Sequence, residues 1–169
     1  VGSFSPYHQI VITIFMILFG INFNAYYFIL LGKAKNAFKM EEVRGYLAII
    51  AAAVLAITLN IYHMYGSLAE TVRHAAFQVA SIITTTGYAT TDFNQWPEIS
   101  RTILVILMFV GACAGSTGGG IKVSRILILM KTVKKEIGQY LHPKNIKKIK
   151  MDGKSVEHEV VRSTNVFMM

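Results

Sequence analysis

The sequence predicts an all-α membrane protein in which one short helix, with the loop after it, enters the membrane without crossing it. Hydrophobic residues make up 53% of the chain, charged residues 15%, and the mean hydropathy is +0.47, whereas soluble domains carry about 25% charged residues. Residues 10–31 and 46–65 contain no charged side chain, and each stretch reaches the roughly 20 residues that a helix needs to cross a bilayer. Residues 67–84 form a third helical pattern, which ends in a run of Thr and Gly.

The basic residues flank the apolar stretches. Of the 17 Lys and Arg residues, four lie at positions 33–44 and eleven at 122–162, and only Arg73 and Arg101 lie between these groups. Cytoplasmic loops of membrane proteins carry such an excess, whereas nucleic-acid binders combine basic residues with exposed aromatic ones. The distribution therefore predicts a protein in contact with membrane lipid and without a nucleic-acid partner.

The first two apolar stretches predict membrane-spanning helices. Residues 10–31 should form one continuous helix, and residues 46–65 should run from the inside to the outside because basic residues precede them. Asn22 and Asn24 lie within the first stretch. Because polar groups are costly in lipid, we expect these amides either to form an interhelical hydrogen bond or to line a pore.

The third helical pattern begins with a capping box, Ser67-Leu-Ala-Glu70, in which Ser67 caps the helix and Glu70 reaches back. Charged residues occur only in the first turns of this helix, which is typical of a segment that dips into the membrane from the outer surface. The C-terminal end of a helix carries partial negative charge. This end is directed at residues 84–87 and would favour a cation there.

The run that follows this helix resembles a potassium-channel filter. Residues 85–89 are Thr-Thr-Gly-Tyr-Ala, and a channel filter has the pattern Thr-Val-Gly-Tyr-Gly, whose carbonyl oxygens replace the hydration shell of the ion. Gly87 supplies backbone conformations that are closed to other residues. We therefore predict that K⁺ binds at Thr85, Thr86, Gly87 and Tyr88.

A glycine-rich run interrupts the last long apolar segment, residues 98–141. Five glycines lie within residues 111–120, and each loosens a helix by about 1 kcal/mol relative to Ala. Non-helical backbone at membrane depth is tolerated where it is buried or lines a cavity. One hypothesis is a mobile gate, and the other is close helix packing through glycines four residues apart. The gate would comprise Gly111, Gly115, Ser116, Thr117, Gly118, Gly119 and Gly120.

Potassium-channel subunits consist of a helix, a pore helix, a filter and a second helix, the M1–P–M2 unit, and the order of segments in this chain resembles it. Three sequence features make the resemblance more specific. The features are Ile-Ile-Thr-Thr-Thr-Gly-Tyr at 82–88, Gly-Ala-Cys-Ala-Gly-Ser-Thr-Gly-Gly-Gly-Ile-Lys at 111–122, and Gly-Ile-Asn-Phe-Asn at 20–24. With them the chain resembles the Trk/Ktr/HKT superfamily of potassium transporters, and its bacterial Trk members most. The resemblance implies a multi-pass protein of the bacterial inner membrane, with four M1–P–M2 repeats around one pore.

The resemblance also implies a division of the chain. The expected segments are the second transmembrane helix of the preceding repeat at 1–32, a pore repeat at 43–141 (M1 43–65, pore helix 67–84, filter 85–89, M2 98–141 broken at 111–120), a basic cytoplasmic loop with a hairpin signal at 142–157, and the start of the next repeat at 158–169. We thus expect the chain to be part of a longer polypeptide. Implied partners are the remaining repeats, a second copy in a homodimer, and a cytoplasmic nucleotide-binding regulatory subunit (TrkA-like) near residues 131–155.

The favoured function is potassium uptake through a filter of backbone carbonyls, gated by residues 111–120. Two alternatives stay open, namely a subunit of a homotetrameric potassium channel and a non-conducting membrane scaffold. An enzyme is disfavoured because no acidic pair or His/Cys cluster has a spacing that predicts catalysis. A nucleotide site in the glycine-rich run is also disfavoured, since Ile121 stands where the phosphate-binding loop requires Lys.

Overall fold

The computed structural model describes residues 1–141 and 149–168, and it is mostly helical. The helices are α1 (Pro6–Phe19), α2 (Phe23–Leu30), α3 (Ala34–Lys39), α4 (Glu41–Ile61), α5 (Leu68–Ile83), α6 (Glu98–Phe109), α7 (Val123–Leu141) and α8 (His158–Met168). Short 3₁₀ turns occupy Tyr62–Met64 and Phe93–Gln95, and a two-stranded antiparallel hairpin pairs β1 (Lys150–Met151) with β2 (Lys154–Ser155). The predicted helical class is confirmed.

Helix α4 lies at the centre of the molecule and packs against α5, α6 and α7. Its buried apolar residues recur every three or four positions, as expected for one face of a helix. These residues are Val43, Tyr46, Ile50, Ala53, Ile57 and Ile61. By length and composition, Glu41–Met64 is able to cross a membrane.

The prediction of one continuous helix over residues 10–31 is wrong. Helix α1 ends at Phe19, α2 begins at Phe23, and the two helices meet at an angle of 93°. Asn22 explains the break, because its side-chain oxygen accepts a hydrogen bond from the Asn24 N–H at 2.8 Å and so caps the new helix. An apolar pattern does not show this break, since a single Asn leaves the hydrophobic character of the stretch unchanged.

Helix α5 carries the chain from the surface into the interior. It begins where Ser67 Oγ accepts a hydrogen bond from the Glu70 N–H at 3.2 Å, which is one half of the predicted capping box. The Glu70 carboxylate lies instead beside Arg73 and His74, at 3.6 and 3.8 Å. From His74 to Ile83 most residues of α5 are buried, so its C-terminal end places Thr84 inside the molecule.

The hairpin lies against the start of α4. Asp152 and Gly153 have φ values of 51° and 79°, as in two-residue hairpin turns whose central residues both adopt φ > 0. Asp152 Oδ1 accepts a hydrogen bond from the Glu41 N–H at 2.7 Å. Residues 142–148, which hold much of the predicted basic loop, lie outside the described residues.

Candidate functional site

The loop that contains the predicted filter residues 85–89 spans residues 84–90, is called the filter loop for that prediction, and folds back on the end of α5. The N–H groups of Thr86 and Gly87 both donate to the Ser81 carbonyl oxygen, at 2.8 and 3.3 Å. The Ser81 hydroxyl in turn donates to the Tyr88 carbonyl oxygen at 2.5 Å. Ser81 thus uses both its backbone and its side chain to fix the loop, and it directs the N–H groups of the loop toward the helix.

Three consecutive carbonyl groups in the middle of the same loop differ from these N–H groups. Within the described part of the chain, no hydrogen bond ends on the carbonyl oxygens of Thr85, Thr86 or Gly87. Thr85, Thr86, Gly87 and Tyr88 are all exposed. Thr85 and Gly87 adopt left-handed backbone conformations, with φ of 56° and 80°, which is unusual for a β-branched residue such as Thr85.

The outer end of the filter loop rests on a group of polar and aromatic side chains. His74 Nδ1 lies 2.9 Å from Thr90 Oγ1, and its ring stacks on Tyr65 with 5.1 Å between the centroids. Trp96 Nε1 donates to the Tyr65 hydroxyl at 3.0 Å. Burial lowers the pKa of His74, and the neighbouring Arg73 lowers it further. The neutral imidazole is therefore the form that this site favours.

The glycine-rich loop, residues 110–122, joins α6 to α7 and closes on itself. The Gly111 N–H donates to the Ile121 carbonyl oxygen at 2.8 Å, and the Ile121 N–H donates to the Phe109 carbonyl oxygen at 3.1 Å. A Cβ atom at Gly111 would overlap the Gly119 carbonyl oxygen. Since Gly111 and Gly115 lie outside the helices, the hypothesis of helix packing through these two glycines is wrong.

The first half of the glycine-rich loop is bonded to the break between α1 and α2. The Cys113 N–H donates to the Gly20 carbonyl oxygen at 3.0 Å, and the Phe23 N–H donates to the Gly115 carbonyl oxygen at 3.1 Å. Two interrupted helices thus satisfy each other's free backbone groups. Every helix end leaves such groups without a partner inside the helix.

A buried carboxylate, Glu42, joins the same elements. Its Oε1 atom accepts hydrogen bonds from the N–H groups of Ala114 at 2.6 Å and Ser124 at 3.2 Å, and its Oε2 atom accepts one from the Asn22 amide at 3.3 Å. Glu42 was not among the predicted site residues, because it lies between the two apolar stretches, where basic residues occur at positions 33–44. The one available signal was the pair of amides in the preceding apolar stretch, which need a polar partner.

The second half of the glycine-rich loop contacts the filter loop directly. The Gly119 N–H donates to Thr85 Oγ1 at 2.9 Å, and the same hydroxyl donates to the Thr84 carbonyl oxygen at 2.7 Å. The Lys122 ammonium group donates to the Gly118 carbonyl oxygen. The structure therefore brings the two predicted sites together through one threonine hydroxyl, a contact that their separation in the sequence does not indicate.

Comparison with known proteins identifies close relatives. A family model described as "TrkH: Cation transport protein" matches residues 2–169. The chain is 32% identical over 167 residues to the Trk system potassium uptake protein TrkH of Escherichia coli (strain K12), covering 96% of this chain and 35% of that protein. It is 34% identical over 170 residues to the Trk system potassium uptake protein TrkG of the same strain, covering 96% and 34%.

A solved structure agrees with this result. The crystal structure of the potassium transporter TrkH from Vibrio parahaemolyticus matches with a TM-score of 0.91 and 32% identity, over 99% of this chain and 37% of that chain. This chain spans about a third of the length of the curated relatives that it matches. The prediction that it is not an enzyme is confirmed, because the family consists of transport proteins. With a family model that covers nearly all of its residues, the chain belongs to the TrkH family of cation transport proteins.

Proposed function

We propose that this chain supplies one M1–P–M2 repeat of a potassium-uptake transporter. In this proposal α4 is M1, α5 is the pore helix, residues 84–90 are the filter loop, and α6 and α7 are the two parts of M2. The observation that carries the proposal is the arrangement of the filter loop. The Thr86 and Gly87 N–H groups are bonded to the Ser81 carbonyl oxygen, while residues 85–87 are exposed and their carbonyl oxygens accept no hydrogen bond within the described residues.

This arrangement suits a dehydrated cation. Carbonyl oxygens can replace the water ligands of K⁺, and the partial negative charge at the end of α5 acts in the same direction. K⁺ is the transported ion here, and its ligands on this chain would be Thr85, Thr86, Gly87 and Tyr88. One loop supplies one side of a filter, so the remaining sides would come from the other repeats of the same polypeptide.

The glycine-rich loop is proposed as the gate. It lies directly beside the filter loop, which it contacts at Thr85, so a movement of residues 111–120 would change access to the filter. Inward movement of one elementary charge gains about 2.3 kcal/mol per 100 mV of membrane potential. Potassium uptake through such a path requires no chemical step in this chain.

The proposed setting is the bacterial inner membrane, where the parent protein would cross several times. The names of the relatives refer to a "Trk system", which supports a regulatory partner on the cytoplasmic side, near residues 131–155. A second copy of the parent protein is a further expected partner. The alternative of a homotetrameric channel loses support, because this chain covers only 35% of its relative.

The proposal is tested by Rb⁺ uptake into liposomes that hold the full-length parent protein, comparing Gly87→Ser with the control Gly66→Ser. A Cβ atom meets nothing within 4 Å at either glycine, but Gly87 alone of the two has a positive φ, of 80°. In the control protein, we expect K⁺ to inhibit Rb⁺ uptake more strongly than Na⁺ does. In the Gly87→Ser protein, this preference for K⁺ over Na⁺ should be weaker. An unchanged preference, or no uptake by the unaltered protein, would overturn the proposal.

A further inference from the structure

We infer that Glu42 is a positioning residue that divides the glycine-rich loop into an anchored half, residues 111–115, and a movable half, residues 116–120. This inference rests on the proposed function, since it assigns the moving part of the proposed gate. The proposed function treats residues 111–120 as one unit. The contacts of the two halves differ, and Glu42 contacts only the first.

Glu42 fastens three separate elements with one carboxylate. Its side chain is buried, with 5% of its surface exposed, and it accepts hydrogen bonds from Asn22, Ala114 and Ser124. Asn22 caps α2, Ala114 lies in the loop, and Ser124 lies in the first turn of α7. Hydrogen bonds to a charged acceptor are stronger than those between neutral groups. A negative charge at the start of a helix also interacts favourably with the helix dipole.

Backbone bonds hold the anchored half at two more points. Cys113 is fully buried, and its N–H donates to Gly20 at 3.0 Å, while Gly115 accepts a hydrogen bond from Phe23 at 3.1 Å. Moving residues 111–115 would leave the Glu42 carboxylate and several buried backbone groups without partners. Buried polar groups without partners are strongly unfavourable, so this half should stay in place when the gate opens.

The movable half has weaker attachments. Thr117 donates to the Phe19 carbonyl oxygen through its N–H at 3.4 Å and its hydroxyl at 3.3 Å. The other hydrogen bonds of this half within the described residues are with the Thr85 hydroxyl and the flexible Lys122 side chain, and the Ser116 hydroxyl donates to the Cys113 carbonyl oxygen at 2.6 Å, at the border with the anchored half. Thr117, Gly119 and Gly120 are exposed, and three consecutive glycines at 118–120 allow backbone conformations that other residues do not adopt.

The chain offers a matched control in Glu41. This residue precedes Glu42 on α4, but its carboxylate pairs with Lys131 and does not contact the glycine-rich loop in the described structure. Glu41→Gln therefore removes the same charge one position away without touching the anchor. Surface ion pairs of this kind contribute little to stability.

Maleimide labelling of the full-length parent protein tests the inference. In one background Cys113, the single cysteine of this chain, is the sole cysteine. In two further backgrounds Cys113 is replaced by Ser, and the sole cysteine is introduced by the substitution Thr117→Cys or by the substitution Ser100→Cys. Ser100 is fully buried in α6 and reports general loosening. We expect fast labelling at position 117 and slow labelling at 113 and 100 in the unaltered protein.

Glu42→Gln should accelerate labelling at Cys113 by about tenfold or more, because a neutral amide oxygen holds Ala114 and Ser124 more weakly than a carboxylate does and the amide nitrogen cannot accept the hydrogen bond from Asn22. In the Glu42→Gln protein, the labelling rates at positions 100 and 117 should change less than about twofold, because neither position is bonded to Glu42. Glu41→Gln should leave all three labelling rates unchanged, because a surface ion pair contributes little to stability. Equal Cys113 rates in the Glu42→Gln and Glu41→Gln proteins would overturn the inference. So would acceleration at position 100 equal to that at 113, because Glu42 would then support the whole fold.

A second variant covers the case in which Glu42→Gln does not fold. Asn22→Ala removes one of the three donors to Glu42 and should accelerate Cys113 labelling by a smaller factor. An unchanged rate in this folded variant would overturn the inference. Labelling requires no ion flux, so labelling rates that contradict the role of Glu42 would not affect the interpretation of the Rb⁺ uptake experiment. A failure of Rb⁺ uptake would overturn the proposed function while the labelling rates were still measured.

Discussion

The filter loop and the glycine-rich loop touch at Thr85, but different kinds of contact hold them in place. The middle of the filter loop, residues 86–88, is fixed by Ser81, a residue at most seven positions away in the chain. The glycine-rich loop is fixed by residues on other helices, including Glu42 and Phe19, which lie 72 and 98 positions from their partners. A loop with local contacts can keep its shape when its surroundings move, whereas a loop with distant contacts follows the helices that hold it.

This difference suits the proposed division of labour. Ion discrimination requires a constant arrangement of carbonyl oxygens, and the filter loop is bonded to α5, the helix that directly precedes it. Gating requires a segment that responds to displacement of other helices, and the glycine-rich loop is bonded to α1, α2 and α4.

The largest effect is expected for Gly111→Ala. The new Cβ atom would overlap backbone atoms at Gly119 and Gly120, so the closed loop must open, at a cost of about 3 kcal/mol. Gly87→Ala meets nothing within 4 Å and should cost about 1–2 kcal/mol, through its left-handed backbone alone. Thermal unfolding of the two full-length variants measures the difference. Equal melting temperatures would contradict the tighter packing assigned to the glycine-rich loop.

A smaller effect is expected for Thr85→Val, which removes the hydroxyl shared by the two loops. Valine keeps the branched Cβ at this position, so the energetic cost of the left-handed backbone is the same for Val as for Thr. Loss of one hydrogen bond of about 1 kcal/mol should speed hydrogen exchange of the Gly119 N–H about fivefold. The Thr86 and Gly87 N–H groups bond to Ser81, and their exchange should not change. Equal acceleration of all three amides would show that the loops are not held independently.

A comparable local effect is expected for Ser81→Ala, which acts on the filter loop alone. It removes the donor to the Tyr88 carbonyl oxygen and should cost about 1 kcal/mol. Backbone exchange at Tyr88 and Ala89 should rise, while Cys113 labelling should stay slow. A rise in Cys113 labelling would contradict the separate anchoring of the two loops.

The smallest effect concerns acid and the outer end of the filter loop. Because burial and Arg73 lower the pKa of His74 below its ordinary value of 6.5, the unfolded chain binds a proton more readily than the folded one. Stability should therefore be constant above pH 7 and should fall as the pH drops through 6.5 and below. His74→Gln should show a smaller loss of melting temperature between pH 8 and pH 5.5. An identical loss in both proteins would remove His74 as the cause.

The same comparison explains what the sequence could predict. The position of α5 was predicted closely, because Ser67 caps the helix and a run of Thr and Gly follows it, whereas the role of that run as a filter stays a prediction. The hairpin turn at Asp152 and Gly153 lies where its local signal placed it. The glycine-rich run was recognised as a break between helices, but its partners were not, since no local pattern specifies a bond across 72 positions.

The bend at Gly20–Asn22 and the role of Glu42 escaped prediction for one physical reason. Each depends on the other and on the glycine-rich loop, because Asn22, Glu42 and Ala114 satisfy one another only after the helices pack. An isolated stretch of apolar sequence favours a straight helix, since every backbone group is then bonded within it. The bend becomes favourable when Cys113 and Gly115 supply partners for the freed groups.

The most direct test measures discrimination and rate in the same liposome assay on the full-length parent protein. Two variants are compared with it: Gly87→Ser in the filter loop and a deletion of residues 117–119 in the glycine-rich loop. In the unaltered protein, K⁺ should inhibit Rb⁺ uptake more strongly than Na⁺ does, and this preference measures ion discrimination. We predict that Gly87→Ser weakens the preference. The deletion should raise the rate of Rb⁺ uptake and leave the preference unchanged. A deletion that weakens the preference without raising the rate, or a Gly87→Ser protein with the preference intact, would contradict the assignment of selection to one loop and gating to the other.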